Sequence, residues 1–150
     1  MRWLSARGVE VQDLADIVYK LQKKYNPKLT FKECLESVDA VLDKREVQHA
    51  VLTGITLDIL AEEGSLPEPL QSIIAEDNPL YGIDEILALS ITNVYGSIGL
   101  TSFGYLDKCK EGLLGRLDRG ENGLINTFLD DIVAGLAAAA SARIAHRVED

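Results

Sequence analysis

The stretch Leu124-Ile125-Asn126-Thr127-Phe128-Leu129-Asp130-Asp131-Ile132-Val133-Ala134-Gly135-Leu136-Ala137-Ala138-Ala139-Ala140 decides the fold of this chain. Its apolar members Leu124, Ile125, Phe128, Leu129, Ile132, Val133 and Leu136, continued by Ile144, cover every side of a helical wheel. A helix that is apolar all round belongs in a protein interior. Two adjacent carboxylates, Asp130 and Asp131, interrupt it. A buried carboxylate is costly unless it is paired or bound to a cation. A divalent metal is the simplest candidate for that partner.

Outward from this segment the remaining chain reads as further helices. Val11, Leu14, Ile17, Val18 and Leu21 form an apolar stripe within residues 9–24, ended by Asn26-Pro27. Thr30 and Glu33 make a capping box that opens a second helix through Leu42. A third helix is expected over 43–63, stopped by Gly64, and a short one from Pro67 to Ala75. Asp77-Asn78-Pro79 and Gly82 mark a loop, after which Asp84-Glu85 suit the N-terminus of a helix. Another helix is expected over 101–111, then a connection punctuated by Gly112, Gly115, Gly120 and Gly123, then the final helix over 124–147. No alternating strand pattern persists. The expected fold is all-α, a single multihelical domain of six to eight helices over 1–150.

Composition narrows the function. The 150 residues are 47% hydrophobic, enough for a substantial core. The formal charge is −9, from 15 basic and 24 acidic residues, and no basic run exceeds a pair such as Lys23-Lys24. Nucleic-acid binding through a basic face is therefore not expected. Cys34 and Cys109 are too few and too far apart for a disulfide framework or a zinc site, which suits a reducing, cytoplasmic setting. The first residues lack the apolar core of a signal peptide. Between Glu85 and Asp107 no residue is charged, so 86–106 has the length of one membrane span. Its Asn93, Ser and Thr residues and three glycines lower its hydrophobicity. We read it as a buried helix, a glycine turn and the start of another helix.

The acids Asp84, Glu85, Asp107, Asp130 and Asp131 each sit beside apolar runs, with Asp118 a weaker sixth. Asp107 and Lys110 are three apart, on one face of the expected helix. Hard oxygen ligands suit Mg²⁺, which keeps waters and takes phosphate oxygens as further ligands. That is the donor set of metal-assisted phosphoryl transfer. Helix caps and solvated carboxylates explain the same residues equally well, and spacing does not choose between the two.

Residues 84–140 resemble the C-terminal half of the phosphatidylglycerophosphatase A family. The resemblance rests on Leu106-Asp107-Lys108-Cys109-Lys110, then Asp118-Arg119, then Asp130-Asp131-Ile132-Val133-Ala134-Gly135, with Asp84-Glu85 upstream. It implies Mg²⁺-dependent removal of the terminal phosphate from phosphatidylglycerophosphate at a bacterial membrane. Three departures stand out. Family enzymes carry membrane-spanning segments, whereas this chain reads as soluble. Residues 1–80 hold no counterpart to the family's Gly/Ser-rich N-terminal motif. Glu111 stands where the family usually has proline.

Two functional expectations follow. The first is a phosphatase acting on a lipid phosphate monoester, with Asp84, Glu85, Asp107, Asp130 and Asp131 holding Mg²⁺. Asp107, Asp130, Asp131 and Lys110 would form the catalytic group, Lys110 steadying the phosphate while water attacks. Asp118 and Arg119 are secondary candidates; His49, His146 and Ser141 lack any supporting pattern. The second is a soluble helical binding or assembly protein that keeps the acidic pocket without turnover. Peripheral membrane contact and a homo-oligomer, its interface served by the Ala-rich last helix, stay open as partners.

Overall fold

The computed structural model describes residues 2–121 and 123–149, without the side chains of residues 94, 97, 148 and 149. Among these residues there are nine α-helices and no strand. In chain order they are α1 (Arg2–Ala6), α2 (Val11–Gln22), α3 (Phe31–Leu42), α4 (Arg45–Glu62), α5 (Leu70–Ala75), α6 (Ile83–Thr92), α7 (Gly96–Lys108), α8 (Gly112–Asp118) and α9 (Leu129–Glu149). A single 3₁₀ turn, Asn93–Tyr95, joins α6 to α7.

The all-round apolar helix is the axis of the molecule. Every residue from Asn126 to Ala142 is buried, and α9 packs against α2, α3, α4, α6, α7 and α8. The capping box of α3 forms as expected: Thr30 N–H donates to Glu33 at 2.8 Å and Glu33 N–H to Thr30 Oγ1 at 3.3 Å. Gly135 lets α6 approach α9 closely, since a Cβ there would lie 2.9 Å from the Ala88 carbonyl oxygen. The small residues of α9 are thus used inside the chain, against α6. Gly135→Val should cost about 1–3 kcal/mol despite its gain in helix propensity, because backbone must move to admit it. A thermal melt indistinguishable from wild type would contradict this contact.

Among the described residues there are nine helices where six to eight were expected, and the helix expected over 101–111 runs from Gly96 to Lys108. Three further expectations need correction. The last helix begins at Leu129, five residues late, because the preceding backbone bonds to other elements. Ile125 N–H donates to Glu62 Oε1 at 2.9 Å, Arg7 donates to the Ile125 carbonyl at 2.6 Å, and the Thr127 hydroxyl donates to the Ile74 carbonyl at 2.6 Å. Second, the Gly-punctuated connection contains α8, whose Leu114 and Leu117 are buried; Gly115 fits because its missing Cβ would meet the Lys110 carbonyl at 2.6 Å. Third, 86–106 is not wholly buried. Helices α6 and α7 each bury one stripe, including Ala88, Ile91, Phe103 and Leu106, and leave Ile86, Leu100 and Tyr105 exposed. Among the described residues no helix is long and apolar enough to cross a membrane.

Candidate phosphate and cation site

One cleft of about 310 Å³ gathers the acids that the sequence singled out. Asp84 and Glu85 enter from the first turn of α6, and Asp130 and Asp131 from the first turn of α9. Asp107 comes from the last turn of α7 and Asp118 from the end of α8. Each pair thus sits at the positive end of its own helix, which softens the cost of burying it. Lys110 reaches in from the connector between α7 and α8, while Asp77, Asn78 and Pro79 form the opposite rim. Seven carboxyl groups and one ammonium share the cleft.

Lys110 stands among the acids. Its Nζ lies 2.7 Å from Asp118 Oδ1, 3.1 Å from Asp130 Oδ2 and 3.8 Å from Asp107 Oδ1. The expected helical pairing of Asp107 with Lys110 has a different origin, because α7 ends at Lys108 and the turn at Cys109 brings the lysine back. Burial works against the Lys110 charge, yet bonds to Asp118 and Asp130 hold it protonated well above the usual lysine range. Asp130 and Asp131 are each only 4% exposed. Burial raises the Asp131 carboxyl far above the ordinary range, and the charge of Asp130 and a hydrogen bond with Asp84 push the same way. Burial also raises Asp130, against the pull of Lys110. The cleft holds more negative charge than its one lysine balances.

The donor set is all oxygen, which suits a hard cation. Among the described residues, however, no three Asp, Glu, His or Cys side chains already converge as a metal cage. Mg²⁺ does not need one, since it commonly takes one or two carboxylates and completes its shell with water and phosphate. Within those limits the residues fit such an ion.

Arg119 is not brought into the cleft; it is exposed and pairs with Glu121 at 2.7 Å. His49 and His146 also lie elsewhere, His146 near the Tyr95 carbonyl at 3.1 Å. Burial pushes the Cys34 thiol up to about 11, which leaves it an inert core group at neutral pH.

Asp58 was not anticipated. It is 0% exposed, and its two carboxylate oxygens accept the Phe128 and Leu129 N–H groups, each at 3.0 Å. These are orphan donors at the start of α9, so a side chain of α4 caps the helix that carries Asp130 and Asp131. Asp58 shares the buried stripe of Val51, Gly54, Ile55 and Ala61, a pattern visible in the sequence. Asp77 was read only as a loop residue; it sits at φ 49° on the rim.

The family profile described as phosphatidylglycerophosphatase A matches residues 5–146. This chain belongs to the phosphatidylglycerophosphatase A family. Membership thus extends over the N-terminal half as well, beyond the resemblance over 84–140. The chain is 63% identical over 147 residues to the uncharacterized protein YpjQ of Bacillus subtilis (strain 168), covering 98% of this chain and 82% of that one. Among solved structures it resembles the low temperature requirement C protein of Listeria monocytogenes, with a TM-score of 0.96, 56% identity and coverage of 99% and 94%. A Bacillus stearothermophilus protein of unknown function superposes with a TM-score of 0.94 at 63% identity, covering 97% of this chain and 91% of that one.

The buried acids of this family member carry a pH consequence. Asp58, raised to about 7 by burial, and Asp130 and Asp131 all hold protons more tightly folded than unfolded. As pH rises above about 4 the unfolded chain ionises first, so stability falls through neutrality. Without divalent cations the melting temperature should be higher at pH 5 than at pH 8. Scanning calorimetry in chelator checks this, and a rise toward pH 8 would contradict it.

Proposed function

We propose that this protein is a Mg²⁺-dependent phosphatase of a lipid phosphate monoester such as phosphatidylglycerophosphate. The observation that carries the reading is the meeting of Asp84, Glu85, Asp107, Lys110, Asp130 and Asp131 in one cleft of a phosphatidylglycerophosphatase A family chain. Asp84, Glu85, Asp107, Asp130 and Asp131 would hold the cation. When bound, Mg²⁺ neutralises phosphate charge and lowers the barrier to attack at phosphorus. Lys110 steadies a phosphate oxygen. A carboxylate of the cleft would take a proton from the attacking water. Water oxygen would bond to phosphorus as the bond to the glycerol oxygen breaks, and that oxygen would leave with the proton the carboxylate had taken from water. Leu80, 94% exposed, stands in the loop beside the cleft with Ile83 and Ile86 on the adjoining helix face, and these meet the lipid surface.

The test is release of inorganic phosphate from phosphatidylglycerophosphate in mixed micelles and from glycerol 3-phosphate, with Mg²⁺ and with chelator. Release from the lipid ester that needs Mg²⁺ is expected. Asp107→Asn should lower it by about 100-fold or more, on the scale of losing one electrostatic contact in the transition state. No release from either ester would overturn the reading. A second reading, a binding protein without turnover, is favoured by the three carboxylates already engaged with Lys110. It predicts binding of the phosphate ester with no release at any Mg²⁺ concentration.

A further inference from the structure

We infer that Lys110 is a built-in rival of the divalent cation, so that the cation and the phosphate group of the substrate enter the cleft cooperatively. This rests on the cation reading above and adds a regulation to it. Lys110 Nζ is the one positive charge among the described residues lining the cleft and lies within 4 Å of Asp107, Asp118 and Asp130. Two of these, Asp107 and Asp130, are carboxylates assigned to the cation. A divalent ion added there faces an ammonium already bonded to its ligands, and like charges so close repel strongly. Lys110 must give up those two bonds and keeps only Asp118 of its three acidic partners, so its half-buried ammonium is left under-compensated.

A phosphate group removes the conflict. Its oxygens are the alternative acceptors that Lys110 needs, and they also complete the shell of the cation. The side chain can make the exchange. It is 26% exposed, springs from a non-helical connector, and is followed by Gly112 at φ +56°. Each ligand therefore favours the other, and linkage requires the effect to be reciprocal. Cation binding without phosphate is weak because the lysine opposes it; with phosphate the lysine changes sides.

The experiment is calorimetric titration of MgCl₂ into the full chain at pH 7.5, with and without saturating inorganic phosphate. Wild type, Lys110→Met and Lys108→Met are compared; Lys108 is exposed on the last turn of α7 and pairs with no acid of the cleft, so it controls for net charge. Phosphate should tighten Mg²⁺ binding to wild type about tenfold, a typical coupling between two sites. Lys110→Met should bind Mg²⁺ about tenfold more tightly than wild type without phosphate, and phosphate should then add less than twofold. Lys108→Met should follow wild type.

Equal Mg²⁺ affinity in wild type and Lys110→Met, or equal tightening by phosphate in both, overturns the rivalry and leaves the cation site standing. Absence of Mg²⁺ binding in every chain overturns the cation site and the rivalry together. A measurement on wild type alone covers a variant that does not fold. The Lys110 ammonium signal in ¹⁵N NMR, slow to exchange while three carboxylates hold it, should be lost on Mg²⁺ saturation. Its survival unchanged in the saturated protein counts against the inference.

Discussion

In metal-free buffer at pH 7.5, Asp131→Asn should melt above wild type and should lose the gain that Mg²⁺ gives wild type. Asp131 is 4% exposed and faces Asp130, Asp84 and Asp107, so its carboxyl keeps a proton that an exposed aspartate would release. Taking up that proton at neutral pH costs the folded chain stability. Asparagine occupies the same volume, still hydrogen-bonds Asp84 and carries no charge to neutralise. Holding that proton costs about 1.4 kcal/mol for each pH unit above the ordinary aspartate range, so removing the need for it should return about 1–4 kcal/mol. For a chain of this length that is roughly 2–16 °C in melting temperature. The same substitution removes a negative oxygen from the proposed cation ligands, and the Mg²⁺-dependent shift should shrink or vanish. Paired melts with millimolar Mg²⁺ and with chelator separate the two effects. A lower metal-free melt would show that Asp131 is a helix-start carboxylate whose main work is capping.

Asp58→Ala should have the opposite sign and the largest structural cost. It strips the acceptor from two buried N–H groups, those of Phe128 and Leu129, and opens a void beside Gly54 and Ile55. Each orphaned buried donor costs about 1–3 kcal/mol. A total of about 3–4 kcal/mol lowers the melt by roughly 6–16 °C. Part of the loss is returned, because Asp58 itself is held up at about 7 by burial and is only partly ionised at neutral pH. Asp58→Asn keeps one acceptor oxygen and should fall between wild type and Asp58→Ala. It cannot ionise, so its melt should vary less between pH 5 and pH 8 than that of wild type. A melt of Asp58→Ala within 1–2 °C of wild type would mean that α9 finds another cap, since even one orphaned donor costs about 1 kcal/mol or more.

Much of this was legible in the residues alone. An apolar stripe located α2, the Thr30–Glu33 capping box the start of α3, Gly64 the end of α4, and Asp84-Glu85 the start of α6, because each of these signals is local in sequence. The grouping of Asp84, Glu85, Asp107, Asp130 and Asp131 came from the family resemblance, since charge beside apolar runs fits helix caps and solvated carboxylates as well as a shared site. The start of α9 was not legible. Ile125 belongs to the helical pattern by hydropathy, and bonds of its backbone to Glu62 and Arg7, distant in sequence, hold it outside the helix. Asp77 entered the cleft through a loop conformation that no periodicity encodes. Asp58 left a trace as the one acid on the buried face of α4, but its purpose depends on a partner about seventy residues away. The N-terminal half offered no polar motif because its helices cover α9, and every residue lining the cleft falls at or after Asp77.

The burial of α9 on all sides divides the cleft into two walls of unequal persistence. Amide protons of Leu129 to Ala142 exchange with solvent only when the helices around them separate, so their exchange should follow global unfolding. Asp130 and Asp131 are therefore fixed for as long as the protein is folded. The facing wall, from Asp107 through Lys110 to Asp118, lies on the end of α7, a connector and a short helix, with much of its surface in water. That wall, anchored in the core by Leu114 and Leu117, should open before α9 does. Fragments exchanging within seconds on one side and within hours on the other would make the cleft an anvil with a moving jaw, in which recognition resets without any loss of the fold.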